Sequence, residues 1–201
     1  MGLVIFGALA VYVIVLVAVT WFAYRWAAKR GLSRGKRWLA AMGGFLAVYL
    51  PVFWDHIPTL VAHKYYCEKE AGFWVYKTLD QWNAENLGVA ATLVAKKGSP
   101  STRQGDMENY TDTYSLNSRF IWIVKHNGQF LFNRWRHEQE VVDVKTGNVL
   151  ARYVDFSTSQ IRRQAGWSGW KMWLDVRHCS GGERDQNNLR QFKNNFPGVE
   201  K

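Results

Sequence analysis

The sequence lacks the short motifs that identify the common catalytic sites. It has no P-loop, no G-x-G-x-x-G dinucleotide motif, and no Gly-x before Ser180 that would make a nucleophile elbow. The run His137-Glu138-Gln139-Glu140 resembles the start of a zinc-protease helix, but Val141 stands where the second His is required. The sequence therefore predicts no catalytic residue and no cofactor, and it favours a non-catalytic protein over an enzyme.

Charge is missing from two long stretches near the N-terminus. Residues 2–23 contain no charged side chain, and 22 helical residues span about 33 Å, enough for the ~30 Å hydrocarbon core of a bilayer. Residues 38–54 form a second charge-free stretch, which is about 25 Å long as a helix. We predict transmembrane helices at about 2–24 and 38–54. A cleaved signal peptide is the alternative for the first, but no basic segment precedes it and it is too long.

Acidic residues are missing from the segment between these helices, residues 25–37. This segment holds six of the 26 Lys and Arg of the chain, and short basic loops stay on the cytoplasmic side of a membrane. Both termini are then expected in the periplasm of a bacterium, with residues 1–54 as a multi-pass inner-membrane anchor and residues 55–201 as a periplasmic domain. Beyond the loop the cations nearly balance the 16 Asp and Glu, so the net charge of +10 does not indicate a nucleic-acid partner.

The second apolar stretch shows two further patterns. Aromatic and polar side chains mark its ends and predict contact with the membrane interface: Trp38, Trp54, Asp55 and His56. A proton-relay role for the last two is the alternative. Small residues share one helical face: Ala40, Gly44, Ala47 and Pro51. Such a face lets another helix pack closely, although small residues are also common in membrane helices generally. The expected partners are the lipid bilayer and other membrane proteins or a second copy of the chain.

The remaining sequence predicts an α+β domain, with a stalk at residues 55–72 and a folded core at residues 73–195. Its clearest part is an antiparallel meander whose first reversal we assign to Asn127-Gly128, a pair typical of tight hairpin turns. The three strands are expected at residues 118–125, 129–144 and 149–157. We expect short helices to cover one face of this sheet.

Shorter elements flank the meander. Residues 73–78 predict a strand, and either Thr78 or Asp80 could cap the short helix that follows, through Asn86. One continuous helix from 65 to 82 is the alternative. Loops are expected at residues 96–106 and 159–169. A further strand is expected at 171–176, and a final helix at 183–195.

The chain has only two cysteines, Cys67 and Cys179, and both lie in the part predicted to be exported. Oxidising compartments favour disulfides, so we predict that the two are bonded. Closing a loop of more than a hundred residues would stabilise the fold by about 4 to 5 kcal/mol at most.

The same region offers a competing metal site. His63 and Cys67 are four residues apart and share a face if the segment is helical. Three further residues complete a possible ligand set: His56, Glu70 and His178. A disulfide would consume the thiols, so this site requires Cys67 to be reduced.

A run of cations and aromatics in the meander predicts a partner-binding surface. It consists of Trp122, Arg134, Trp135 and Arg136. The alternative is that the aromatic rings belong to the core and the arginines are solvated. For function, we predict a non-catalytic interaction or accessory subunit of an envelope membrane complex. A metal- or ligand-binding sensor at the membrane surface and a membrane enzyme acting on lipid or peptidoglycan are the alternatives.

Overall fold

A computed structural model of the chain describes residues 2–96, 101–129, 131–159 and 171–199. The protein is mixed helix and sheet and divides into two compact units, Met1–Pro58 and Thr59–Lys201. The first unit contains helices α1 (Gly2–Lys29) and α2 (Arg34–Phe53). Helix α3 (His56–Lys69) starts in the first unit and continues into the second.

Helix α1 is long and apolar enough to cross a membrane, a property that a signal sequence would share. Helix α2 is less apolar, and it meets the same criterion only when α3 is counted with it as one broken span. The two predicted spans therefore correspond to one candidate span and one shorter helix. The predicted basic loop is also shorter than expected, because both helices extend into it and leave only residues 30–33 between them.

Helices α1 and α2 pack against each other, and Gly44 lies in this contact. A Cβ atom on Gly44 would lie 3.0 Å from the Cβ of Ala23, a contact tight enough that a larger residue would push the two helices apart by a few tenths of an ångström. Further along, the Tyr12 hydroxyl donates a hydrogen bond of 3.1 Å to the carbonyl oxygen of Val48.

The predicted small-residue face of α2 coincides only partly with this contact. Gly44 is in the contact and Ala40 is half-buried, whereas Ala47 and Pro51 are exposed. At the interface positions, Trp38 and Trp54 are exposed, His56 is half-buried, and Asp55 is buried.

The second unit is built on a six-stranded antiparallel sheet in the order β1-β6-β5-β4-β3-β2. The strands are β1 (Gly72–Val75), β2 (Ser101–Gly105), β3 (Asn109–Ser115), β4 (Phe120–Gln129), β5 (Arg134–Asp143) and β6 (Val149–Thr158). Two helices complete the unit, α4 (Leu79–Glu85) and α5 (Gly182–Asn195). The antiparallel meander and the final helix are confirmed.

The predicted reversal at Asn127-Gly128 is wrong. Strand β4 runs straight through both residues, and the chain turns back only before β5, with Gln129 paired to Arg134. Gly128 is needed for another reason: a Cβ atom there would lie 3.0 Å from the ring of Trp135. The glycine makes room for a cross-strand indole, and the Asn-Gly pair is therefore not a turn signal here.

Several shorter elements also depart from their predictions. Residues 101–105, expected in a loop, form the edge strand β2. All five are exposed, and their sequence lacks the apolar alternation from which a strand is predicted. The strand expected at 171–176 is a 3₁₀ turn at Met172–Leu174 followed by a single bridge from Val176 to Thr158. The loop expected at 159–169 lies outside the described residues apart from Ser159.

Of the two predicted caps of helix α4, Thr78 is the one that the structure has, and it belongs to a capping box. The Thr78 hydroxyl accepts the backbone N–H of Gln81 at 3.3 Å, and the Gln81 side chain accepts the backbone N–H of Thr78 at 2.9 Å. The alternative of one helix from 65 to 82 is wrong, because α3 ends at Lys69 and β1 follows.

Helices pack on both faces of the sheet, whereas one covered face was expected. On one face, Tyr153 of β6 and Leu189 of α5 belong to the main core. On the other face, Phe156 of β6 packs against Tyr66 of α3, with ring centroids 5.4 Å apart. Successive residues of β6 point to opposite faces of the sheet, and both faces are covered by helices. Strand β6 is therefore buried on both sides.

A buried ion pair fixes one end of the main core. The Arg119 guanidinium donates to Asp143 at 2.6 Å, and the Trp82 indole N–H donates to the same carboxylate at 2.9 Å. Burial alone would raise the pKa of Asp143, but the hydrogen bonds from Arg119 and Trp82 lower it overall. The charge is therefore kept inside the fold by its two partners.

Candidate functional site

Cys67 and Cys179, the pair predicted from the sequence, lie at disulfide-bonding distance, with Cα atoms 5.4 Å apart. The bond joins α3 to the turn before α5 across 112 residues. The Asp155 carboxylate holds that turn, because it accepts the backbone N–H of Cys179 at 3.0 Å and contacts His178 Nδ1 at 2.7 Å. The link therefore connects the two helices that cover opposite faces of the sheet.

The predicted metal ligands have other partners in this arrangement. His63 Nε2 lies 3.1 Å from the Phe156 carbonyl oxygen and 3.5 Å from Cys67 Sγ. Glu70 accepts a hydrogen bond of 3.0 Å from Arg136. His178 is paired with Asp155, as described above.

His56 belongs to the other compact unit, where its ring lies 6.3 Å from that of Phe53. The atoms of His63, Cys67 and Cys179 that could bind a metal lie within 4.8 Å of one another. Because both sulfurs are in the disulfide, these three residues could bind a metal only after reduction.

The four residues of the predicted partner surface are divided between the two faces of the sheet. Arg134 lies 3.9 Å from the ring centroid of Tyr66 on α3, and Arg136 pairs with Glu70 of the same helix. Trp135 and Trp122 point to the opposite face, where Trp122 stacks on Tyr114 with centroids 4.9 Å apart. The arginines are thus largely occupied by α3, and Trp122 lines a cavity.

This cavity has a volume of about 240 Å³ and lies between α5 and strands β3, β4 and β5. We call it the α5 cavity. The sheet contributes aromatic and polar side chains to its lining, among them Tyr114, Trp122, His126 and Gln139. Helix α5 contributes Gln186, Arg190 and Lys193.

Cationic side chains outnumber acidic ones in the described lining of the α5 cavity. Its one acid, Asp112, is held by a bidentate pair of 2.7 Å bonds from Arg103, which lower its pKa. Lys193 lies 4.4 Å from the ring centroid of Trp122, and burial together with the nearby charge of Arg190 lowers its pKa. Within the described ranges, neither Arg190 nor Lys193 has a carboxylate within 4.0 Å. The cavity therefore presents net positive charge.

Two other polar groups of the lining are also without protein partners. The indole N–H of Trp122 is buried and has no acceptor among the described residues. Gln139 is only 9% exposed, and its side-chain amide forms no hydrogen bond in that same part of the chain. Since buried polar groups in native proteins are nearly always hydrogen-bonded, such groups indicate a position for water or a ligand.

A row of hydrogen-bonded side chains crosses the sheet beside this cavity. His126 of β4 and His137 of β5 are register partners, and their Nδ1 atoms lie 2.8 Å apart. His137 Nε2 lies 2.8 Å from the Ser157 hydroxyl of β6. Burial, with the neighbouring His126, lowers the pKa of His137 to about 4, and burial also lowers the pKa of His126. Both pKa shifts favour the neutral rings, and a hydrogen bond between two neutral rings requires one Nδ1 to donate and the other to accept.

The order Ser157, His137, His126 resembles the nucleophile, base and orienting group of a catalytic triad. If His137 carries its proton on Nδ1, its Nε2 can accept the proton of the Ser157 hydroxyl. However, the lining of the α5 cavity reaches His126 and, among the residues described, does not include Ser157. The row therefore lies next to the cavity, and its clear chemical property is sensitivity to acid.

Sequence reasoning identified Trp122 and missed the rest of the α5 cavity. The lining comes from β3, β4, β5 and α5, which are far apart in sequence and form no motif. Strand β3 was not predicted at all, so Tyr114 and Asp112 could not be placed. Gln139 and His137 were noticed only as part of a failed zinc motif.

No family model, no curated protein and no solved structure matches this chain.

Proposed function

We propose that this protein is a non-catalytic accessory subunit of an envelope membrane complex. In this proposal α1 and α2 anchor it in a bacterial inner membrane, and Thr59–Lys201 is in the periplasm. The bond between Cys67 and Cys179 supports this most strongly, because disulfides persist in oxidising compartments. It lies within the unit that the topology argument exports.

The charges around the connection of α1 and α2 support the same orientation. Arg25 and Lys29 lie in the last two turns of α1, and Arg34, Lys36 and Arg37 in the first turn of α2. A short connection with these cations is typical of the cytoplasmic side. The exposed small residues of α2, Ala47 and Pro51, offer a face on which another membrane helix could pack.

The proposal is tested first by topology. Alkaline phosphatase fused after Lys201 should be active, whereas the same enzyme inserted after Gly31 should be inactive. The matched pair controls for expression, since both fusions carry the same anchor. Activity of the Gly31 fusion with an inactive Lys201 fusion would overturn the orientation and the compartment together.

The accessory role is tested by purification. The protein, tagged at its C-terminus and expressed at its native level, should bring down stoichiometric membrane proteins from mild detergent. Recovery of the chain alone, as a monomer, would contradict the accessory role and leave the topology result standing.

Ligand binding at the membrane surface is a second function that the geometry favours. The observation behind it is the α5 cavity, whose two cations have no carboxylate partner, and whose buried polar groups have no hydrogen-bond partner, in the described part of the chain. A metal-binding version of this function at His63 would need the disulfide to be reduced.

A further inference from the structure

We propose that the α5 cavity binds a small anionic sugar, a single hydroxylated ring that carries a carboxylate or a phosphate. The inference concerns only side chains of Thr59–Lys201. It depends neither on the membrane orientation nor on the accessory role proposed above.

The charge of the ligand follows from Lys193 and Arg190. Both cations line the cavity and lack carboxylate partners among the described residues, while the only acid of the lining is already paired with Arg103. The Lys193 ammonium lies over the Trp122 ring and is partly removed from water. An anion bound here would restore the interactions that this cation has lost, and it would be held by charge-assisted hydrogen bonds.

The ring follows from the aromatic pair in the lining. Trp122 and Tyr114 stack across β4 and β3, with planes inclined by 29°. The volume of about 240 Å³ lies below the ~300–1,000 Å³ of pockets that hold drug-sized ligands, so the occupant is small. One sugar ring laid against the aromatic pair satisfies both conditions.

The hydroxyl groups follow from the amides on either side. Gln139 comes from the sheet and Gln186 from α5, and neither side chain has a hydrogen-bond partner among the described residues. An amide both donates and accepts, which suits a hydroxyl better than it suits an apolar or purely anionic group. The buried indole N–H of Trp122 adds one more donor on a lining side chain. Cations, aromatic rings and amides in one small cavity thus define a polar ring with a negative charge.

The test is isothermal titration calorimetry of the full-length protein in detergent. The probes are glucuronic acid, glucose 6-phosphate, glucose and inorganic phosphate. We expect the two charged sugars to bind roughly tenfold or more tightly than glucose, because a hydrogen bond to a charged group is worth about one to two powers of ten in affinity. Inorganic phosphate should bind more weakly than glucose 6-phosphate, because it lacks the ring.

Variants separate this site from general surface charge. Lys193→Gln and Arg190→Gln should each weaken glucuronic acid binding by roughly tenfold or more. Arg184→Gln is the matched control, since Arg184 is on the same helix, exposed, and outside the cavity. Arg190 is also exposed, so its variant tests the site without disturbing the core.

Three outcomes would overturn the proposal. The first is equal binding of glucose and glucuronic acid. The second is equal binding of inorganic phosphate and glucose 6-phosphate, which would reduce the site to a general anion site. The third is the absence of binding by all four probes to the folded wild-type protein.

Discussion

The histidine row predicts that mild acid destabilises the second unit. His137 ordinarily titrates at 6.5, and in the fold burial lowers its pKa to about 4, with contributions from His126 and His178 that are opposed by Asp155. A lowered histidine pKa means that the unfolded chain takes up a proton before the folded chain does. The stabilisation is therefore present above pH 6.5 and is lost progressively as the pH falls towards 4.

The magnitude follows from the size of the shift. Over the whole range the loss is about 3 kcal/mol, since each pKa unit corresponds to about 1.4 kcal/mol. Between pH 7 and pH 5, His137 alone accounts for about 2 kcal/mol. His126 adds to this in the same direction, because burial lowers its pKa as well. A loss of 2 kcal/mol corresponds to a decrease of about 4–8 °C in the melting temperature of a domain of this size.

The assay is thermal unfolding, followed by tryptophan fluorescence in mild detergent, at several values between pH 7 and pH 5. This window avoids the carboxylates, such as Glu138 and Asp143, whose protonation destabilises the fold at lower pH. His137→Gln should be less stable at pH 7 but should lose most of the pH dependence. His56→Gln, in the other compact unit, should keep the slope of the wild type. Parallel pH dependence of the wild type and His137→Gln would refute the reasoning.

Three further predictions concern stability. Gly128→Ala should lower the free energy of unfolding by about 1–3 kcal/mol, because the new Cβ would lie 3.0 Å from the Trp135 ring. The control Gly35→Ala, whose Cβ would have nothing within 4 Å, should leave the stability unchanged or raise it slightly. Equal melting temperatures of the two variants would contradict this. Reducing the disulfide should lower the free energy of unfolding by up to about 4–5 kcal/mol; denaturant curves with and without a dithiol check this, and unchanged midpoints would contradict it. Arg119→Met should cost about 3–5 kcal/mol because it leaves the Asp143 carboxylate buried and unpaired, and Arg119→Met with Asp143→Leu should recover part of that loss.

Elements with a local chemical signature could be predicted from the sequence. The cap of α4, the apolar run of α1 and the short connection between β5 and β6 each depend on residues within a few positions of one another. The cysteine pairing was predictable for another reason, because in a chain with two cysteines each has only one possible partner within the chain. These features need no knowledge of the rest of the fold.

Features that depend on contacts between distant segments could not be predicted. The Asn-Gly pair of β4 has the composition of a turn, yet the indole of Trp135 from the next strand uses the glycine as space. Strand β2 has no apolar side to reveal it, since it is held at the edge by backbone pairing with β3. The α5 cavity exists only once a C-terminal helix lies over three strands of the sheet. The residues that line it are therefore scattered through the sequence.

The strand order has a consequence for how the protein is made. Of the strands that the structure describes, β1 is the first to emerge during synthesis, but its one neighbour among them is β6, the last in sequence. The other five strands can pair as successive hairpins, whereas β1 stays unpaired until β6 has been synthesised. Cys67 likewise stays unpaired, because its partner Cys179 is synthesised after β6. During biogenesis the segment around β1 is therefore the part of this unit that is exposed longest to proteases, to wrong strand pairing and to premature oxidation.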